Sequence, residues 1–454
     1  MSAIATLPFD ENLRRFQQQV GAYRAGALIL MGTRQPITAA LLIGALQPER
    51  VAFLLTAETR DLPQQVAGLL HISGDDWLAP AEDHKTVIAV YGAIKRLMRA
   101  WDDVPRPAIA VDVTAGTKQM SVGIAKAAHL LNLTTVYVAS QFQGNQPIPG
   151  SQSIEVLPDP YVVFGDLEAA EARRLYAAHD YLGAQRIFAA LAARVPQPDG
   201  ARYAALADLA AMYAAWDVLD FATAARHAAA LAAHEPAQLP VLGDGRATLA
   251  EQQRALVRLA EVASAVVRRG DEALRTLADP DALLPLLGAL HTNALRRAAQ
   301  GRYDFAALFR YRCLELIGQH RLASHGLLTS RADYRALALP KAQLSQAFQA
   351  CQRAIGRKQP RGLPDRITLF DGYLLLAALD DPLVRDYPIA RIEERSDARN
   401  QSVLAHGYRL IDQGGYARFA EVVDEMIDRL FARVLDRPRA AWERAAMFVD
   451  LFAR

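Results

Sequence analysis

The sequence predicts an α/β domain followed by an all-α remainder, and three observations carry that reading. The first ~160 residues alternate strand-like and helix-like segments, in the order that builds a parallel sheet. From about Asp166 onward the composition turns to Ala, Leu and Arg with few β-branched runs, which favours helices. The chain has 454 residues, 52% of them hydrophobic, enough for two to four domains with real cores at roughly 100–200 residues each.

Ala27 to Met31 reads as a buried strand, and the turn Gly32-Thr33-Arg34-Gln35-Pro36 leads into an apolar helical run from Ile37 to Leu46. Val51 to Leu55 makes a second strand, with a helix around Thr86 to Ala100. Ala108 to Val113 is the next strand; after the loop Thr114 to Lys118, Gln119 to Leu131 has helical periodicity, and Thr134 to Val138 closes the unit. The proline-bearing stretch Gln141 to Pro160 reads as loop, an edge hairpin or both, with Ser153 to Leu157 as a candidate edge strand. In the helical remainder, Tyr176-Ala-Ala-His-Asp-Tyr-Leu recurs loosely as Tyr213-Ala-Ala-Trp-Asp-Val-Leu at a spacing of 37, and Tyr303-Asp304-Phe305 opens a third similar helix. Helical hairpins account for this without a superhelical repeat array.

Lys plus Arg number 51 against 49 Asp plus Glu, a formal net charge of +2, so any RNA or DNA contact must be local. Cys313 and Cys351 have neither metal-ligand spacing nor a disulfide pattern, which fits a reducing cytoplasm and no metal site. Met1 to Asp10 lacks the order of a signal peptide, and no apolar run approaches the ~18–20 residues that span a bilayer, so no membrane contact is expected. The spacing of a Walker loop is absent, as are G-x-S-x-G and H-E-x-x-H, which leaves standard NTPase, serine hydrolase and zinc protease chemistry unsupported.

Asp112-Val113-Thr114-Ala115-Gly116-Thr117-Lys118 sits where a strand hands over to a helix. Free backbone N–H groups and the positive helix end face outward there. Gly116 allows close backbone approach, Thr117 offers a hydroxyl and Lys118 a mobile positive charge, a set suited to the phosphate or ribose of a nucleotide. Gly32-Thr33-Arg34-Gln35 should lie on the same carboxyl edge of the sheet, where open α/β domains place ligands. The same local chemistry also suits a tight strand–helix turn with a capping Thr.

A strand ending in Asp, then Thr-Ala-Gly-Thr-Lys and a Met, resembles the signature of the CRISPR-associated Rossmann-fold (CARF) sensor domains over roughly residues 20 to 160, with Ala115 where a glycine usually stands. The resemblance implies a Rossmann-like fold for residues 1–162. It also implies a homodimer that binds a cyclic oligoadenylate, the tetra- or hexa-adenylate, across its two-fold axis. Gly32, Thr33, Arg34, Thr114, Gly116, Thr117 and Lys118 are then the ligand-binding residues, and slow cleavage of the activator by the sensor itself stays open.

Farther along, Ser396 to Tyr408 reads as a helix with Ser396 as N-cap, ended by Gly414-Gly415. Arg399 and His406 are seven residues apart, so at ~3.6 residues per turn they return to one face two turns along. An Arg beside a His suits metal-free RNA cleavage. The 2′-hydroxyl attacks its own phosphate, Arg stabilises the added negative charge, His moves a proton, and a 2′,3′-cyclic phosphate results. Asn400 can orient the phosphate or the His by hydrogen bonding. An ordinary amphipathic helix with a surface Arg and a packed His has the same spacing.

Arg399-Asn400 with Ala405-His406 resembles the R-N-x(n)-H motif of HEPN ribonucleases, and Tyr303 to Gln319 is similar to their helix ahead of the active one. The resemblance implies a HEPN domain over residues 301–454, with Arg399 and His406 as catalytic pair at a dimer interface and Asn400 as polar support. Residues 163–300 then form a helical connecting region. Glu315 pairs either with an arginine near the site or with Arg312, three residues away. A sensor followed by such a helix is the order found in the CARF-HEPN ribonucleases of type III CRISPR systems. That order implies a homodimeric cytoplasmic endoribonuclease for single-stranded RNA in antiviral defence, free of cofactor and metal and switched on by cyclic oligoadenylate. The alternatives are a cyclic-nucleotide-sensing regulator or dimeric interaction protein whose helical domain is catalytically inactive, and a helical-repeat scaffold with an incidental α/β head.

Overall fold

Short apolar runs buried on both faces make the N-terminal sheet, as a parallel sheet requires. In the computed structural model, which describes residues 7–81, 83–143, 146–235, 238–239, 245–265, 270–400, 402–404 and 407–450, two units separate at Gly165 and Asp166. The first unit runs α1 (Phe9–Val20), β1 (Ala27–Met31), α2 (Pro36–Leu46), β2 (Arg50–Leu54), α3 (Leu62–Leu70), α4 (Val87–Ala100), β3 (Ile109–Asp112), α5 (Lys118–Leu131), β4 (Thr134–Ala139), the two-residue strands β5 (Phe142–Gln143) and β6 (Gln146–Pro147), β7 (Ser153–Leu157) and α6 (Pro160–Phe164). The main sheet has the order β2-β1-β3-β4-β7, its first four strands parallel and β7 antiparallel at the edge. Side chains alternate across it with period two. Leu28, Leu30, Phe53 and Val136 pack with α1, α2 and α3, while Ile29, Met31, Leu54 and Val111 pack with α4 and α5.

The five strands of the main sheet and α2, α4 and α5 match the expected segments to within a residue at each end, and β5 with β6 makes a hairpin within the 141–160 stretch. Helices α1 and α3 do not appear in the sequence reading. α1 is mostly polar and buries Asn12, Phe16 and Val20, while α3 has nine residues and buries Leu62, Val66 and Ala67. α1 carries Phe9, Leu13, Phe16 and Val20 at the i, i+4, i+7, i+11 spacing of an amphipathic helix, a signal passed over among its polar residues, whereas α3 is too short to show a long stripe.

The second unit is helical: α7 (Asp166–Ala177), α8 (Tyr181–Arg194), α9 (Asp199–Asp217), α10 (Phe221–Ala233), α11 (Gly245–Ala265), α12 (Asp271–Ala278), α13 (Pro280–Ala299), α14 (Tyr303–Ser324), α15 (Lys341–Ala354), α16 (Leu369–Ala378), α17 (Ala390–Asn400), α18 (Gln413–Arg429) and α19 (Arg439–Ala446). The hairpin turns share one construction, but its register corrects the expected spacing. Before α8 and α10 the chain takes a left-handed residue, His179 at φ 64° and Leu219 at φ 64°, then an aspartate whose carboxylate caps the helix. Asp180 accepts from Gly183 N–H at 2.9 Å, and Asp220 accepts from Thr223 N–H at 3.1 Å. The equivalent positions are therefore Asp180 and Asp220, forty apart, and not Tyr176 and Tyr213. Gly301 at φ 72° makes the same backbone turn before α14, there followed by Arg302 and without a side-chain cap.

Two hydrophobic clusters fill this unit. One gathers α7 to α11, the other α13 to α18, and α13 lends Ala289 to the first and Leu283, Leu287 and Leu290 to the second. Residues 447–449 return to the first cluster. Phe448 stacks on Tyr213 at 4.1 Å between ring centroids, and the Arg296 guanidinium lies over its ring at 3.8 Å. Tyr176 donates its hydroxyl to Val449 O at 2.7 Å, and Val449 N–H donates to the Tyr213 oxygen at 2.9 Å. Among the described residues no helix is long and apolar enough to cross a membrane.

Candidate functional site

After β1 the chain crosses to β2 on one side of the sheet; after β3 it crosses to β4 on the other. Such a switch point leaves a crevice beyond the carboxyl ends of the strands. The loops at 32–35 and 113–117 flank it. Gly116 takes φ 88°, and a Cβ there would come within 2.9 Å of the Met31 sulfur, so glycine lets the second loop lie against the end of β1. Gly32 is buried and donates its N–H to Leu54 O at 2.8 Å, while Thr33 accepts from Gln35 N–H at 3.1 Å.

Thr117 caps α5, accepting from Met120 N–H at 3.3 Å, and leaves the following N–H groups pointing into the crevice mouth. Lys118 and Arg34 are exposed, and neither side chain makes a hydrogen bond or ion pair with any described residue. Thr114 is differently employed. Its hydroxyl donates to Asp112 Oδ1 at 2.5 Å and accepts from Val138 N–H at 2.7 Å, bracing β3 to β4. Gly116, Thr117, Lys118, Thr33 and Arg34 thus present the loop's groups, and Thr114 sets its shape.

Asp112 supports that brace from a buried position, also accepting from Thr114 N–H at 2.9 Å. Burial pushes its carboxyl up to about 6, against the pull of the two Thr114 hydrogen bonds. A raised carboxyl favours the fold while protonated. Its contribution is whole below the unfolded-chain value near 3.9 and is lost as pH rises through about 6, a difference of about 3 kcal/mol. Asp112→Asn keeps an acceptor for both bonds and removes the buried charge. Denaturation curves taken from pH 4 to 7.5 should show the variant more stable than wild type at the upper end and nearly equal at the lower; parallel profiles would refute this.

The second candidate segment departs from its expected helix. Ser396 lies inside α17, not at its start, with its hydroxyl donating to Ile392 O at 2.5 Å. The strong helix formers ahead of it start the helix at Ala390, and the helix stops at Asn400. The chain then turns back on itself: Val403 N–H donates to Arg409 O at 3.0 Å and Gly407 N–H to Ser402 O at 3.1 Å, bridging Ser402 to Arg409. Gly414 and Gly415 belong to the first turn of α18, which Asp412 caps through Gly415 N–H at 2.6 Å. Arg399 and His406 are therefore not two turns apart on one helix. The positions that bracket His406 fold back toward the end of α17 that carries Arg399 and Asn400. His406 itself, and the side chains of Arg399 and Asn400, lie outside the described residues.

This hairpin is anchored from below. The Asp304 carboxylate, in the first turn of α14, accepts from Ile411 N–H at 3.2 and 3.3 Å, and the Tyr303 and Tyr416 rings lie 5.8 Å apart. Deeper, Arg310 Nη1 donates to His291 Nδ1 at 2.9 Å and to Asp424 at 2.8 Å, while His291 Nε2 bonds Glu443 at 3.0 Å. Burial and the adjacent guanidinium hold His291 below the ordinary imidazole range, which keeps Nδ1 an acceptor. The network joins α13, α14, α18 and α19 beneath the hairpin. Sequence reasoning missed it and Asp304 alike, because the partners stand far apart in the chain. Glu315 pairs with Arg312 at 3.3 Å, as a partner three residues away.

Two family models match the chain. The Csm6 6H domain covers residues 164–256, and the Csm6 HEPN domain covers 276–430, the whole stretch from α13 through α18 with the Arg399-Asn400 and His406 positions inside it. The CRISPR system endoribonuclease Csm6 of Thermus thermophilus is 29% identical over 416 residues, 89% of this chain and 85% of its own. Both models and this relative give one likeness, to the Csm6 endoribonucleases. A solved structure of Enterococcus italicus Csm6, bound to cyclic hexa-2′-fluoro-hexa-dAMP, aligns over 94% of this chain and 98% of its own with a TM-score of 0.49 and 11% identity. The Csm6 6H model falls on α7 to α11, the hairpins with the shared aspartate turn. The HEPN model takes in α13, which also packs against those hairpins.

Proposed function

We propose that this protein is a cyclic oligoadenylate-activated, metal-independent endoribonuclease that cuts single-stranded RNA in type III CRISPR antiviral defence. The observation that carries the reading is the Csm6 HEPN model lying across Arg399-Asn400 and His406. Residues 1–162 act as a CARF-type sensor, residues 163–300 connect, and residues 301–454 hold the nuclease. In the sensor, the crevice at the β1–β3 switch point takes the activator's phosphates on the backbone at Gly116 and Thr117 and on Lys118, with Gly32, Thr33 and Arg34 opposite and Thr114 shaping the loop. In the nuclease, His406 takes the proton from the attacking 2′-hydroxyl, Arg399 neutralises the charge that builds on the phosphate, and Asn400 orients it. A homodimer in the cytoplasm completes the site with a second Arg and His.

Activation requires that the ligand bind the active arrangement more tightly than the resting one. The test is cleavage of a fluorescent single-stranded RNA by purified protein in excess EDTA, with no ligand, with cyclic tetra-adenylate and with cyclic hexa-adenylate. One ring should stimulate cleavage. Lys118→Ala should raise the concentration needed for half activation about tenfold or more, the loss expected for a charged contact to phosphate. Binding of a ring without cleavage would leave a sensor only; dependence on added divalent metal would overturn the metal-free chemistry.

A further inference from the structure

Tyr408 stands out in the hairpin beside the proposed nuclease centre. Its ring is 97% exposed, and the residue next to it, Arg409, is exposed with a side chain that makes no hydrogen bond or ion pair with a described residue. An exposed tyrosine usually sits on a mobile turn. Here the backbone is held: Ser402 and Arg409 are bridged, Gly407 N–H bonds Ser402 O, and Ile411 N–H is fixed to Asp304 on α14. A flat ring held in place that buries nothing adds no stability to the fold, so folding does not account for it.

The surroundings point to an anionic, flat partner. Arg302 at the start of α14 and Arg418 on α18 also make no side-chain hydrogen bond or ion pair with described residues, and Asp304 and the Tyr303–Tyr416 contact hold those two helix starts together. Two carboxylates at the hairpin are turned to its backbone. Asp304 accepts from Ile411 N–H, and Asp412 caps α18. An exposed aromatic ring with an unpaired arginine next to it is the combination with which proteins hold single-stranded nucleic acid, the ring taking a base and the cation a phosphate, and Tyr408 with Arg409 is such a pair among the described residues.

We infer that Tyr408 and Arg409 form a substrate subsite, in which a nucleobase of the RNA strand next to the scissile phosphate stacks on the Tyr408 ring and Arg409 holds a flanking phosphate. The inference rests on the ribonuclease reading and deepens it. Tyr408 lies two residues from His406 in sequence, and the Ser402–Arg409 bridge returns Arg409 to within three positions of Arg399, so base, phosphate and reacting bond belong to adjacent nucleotides. Chemistry stays with Arg399 and His406; the subsite holds the strand in register.

The test uses the full-length protein with activating ligand and measures KM and kcat on single-stranded RNA, beside the molar mass in solution. Tyr408→Ala should raise KM about tenfold, the loss typical of one base–aromatic stack, with kcat within about threefold of wild type. Tyr408→Phe should restore KM, since stacking does not need the hydroxyl. Arg409→Ala should raise KM and flatten its dependence on salt. An unchanged KM in Tyr408→Ala would overturn the subsite. A halved molar mass in Tyr408→Ala would overturn it too, because the ring would then be packed against a second copy. Absence of cleavage by the wild-type protein is a separate result that strikes the ribonuclease reading itself.

Discussion

Arg399→Ala and His406→Ala are each expected to lower the initial rate of activated RNA cleavage by at least about a hundredfold, the span measured when a proton-transfer group or a charge-stabilising donor is removed. The proton on the 2′-hydroxyl must leave as the phosphate takes on charge, and the proposed mechanism gives each residue one of those tasks. The double variant should be scarcely slower than either single one, because residues that act as a unit do not contribute additively. Affinity for the cyclic oligoadenylate should stay within about twofold of wild type, since neither residue belongs to the proposed sensor site. Initial rates on a fluorescent RNA at saturating activator, with activator binding measured on the same preparations, check both halves. Retention of more than a tenth of the activity in either single variant would assign the chemistry elsewhere.

Asp381→Ala should cost about 3–5 kcal/mol of stability, the loss that follows when one partner of a buried ion pair is removed. Asp381 is fully buried just beyond α16. It accepts from Arg321 Nη2 at 2.8 Å, from His325 Nε2 at 2.8 Å and from Leu383 N–H at 2.9 Å, so one carboxylate ties the end of α14 to the turn after α16. Burial alone would push its carboxyl up, yet the hydrogen bonds from His325 and Arg321 outweigh it and hold the group at about 2. A lowered carboxyl stabilises the fold while ionised. Its contribution is whole above the unfolded-chain value near 3.9 and fades as pH falls through about 2. Alanine leaves Arg321 and His325 facing a cavity. Urea denaturation at pH 7 reads the loss directly, and a decrease below about 1 kcal/mol would show that water replaces the carboxylate without penalty.

The sheet was legible because its physics is local. A run such as Ala27 to Met31 is apolar at every position, and only burial on both faces of a parallel sheet accounts for that. The crevice loops were legible for the same reason, since strand, Gly116 and capping Thr117 are contiguous. What escaped depends on partners far away. The segment after Asn400 has enough helix formers to suggest continuation, and what ends the helix is the pairing of Ser402 with Arg409 and of Ile411 with Asp304, 107 residues earlier. His291, Arg310, Asp424 and Glu443 likewise form a network no spacing rule detects. The hairpin repeat was visible, but matching on tyrosines placed it at Tyr176 and Tyr213. The turn is set by a left-handed residue and a capping aspartate, which carry less compositional weight than an aromatic ring.

Residues 447–449 close the α7–α11 cluster through Phe448 on Tyr213 and Val449 on Tyr176, contacts in which Val449 reaches back 236 and 273 positions. A ribosome adding roughly 5–20 residues per second needs on the order of ten seconds to a minute to make the intervening chain. Through that interval Tyr176 and Tyr213 lack their covering ring, and the middle helices wait unsealed. A nascent or truncated chain that stops short of Phe448 is thus left with an open helical layer over α7 to α11.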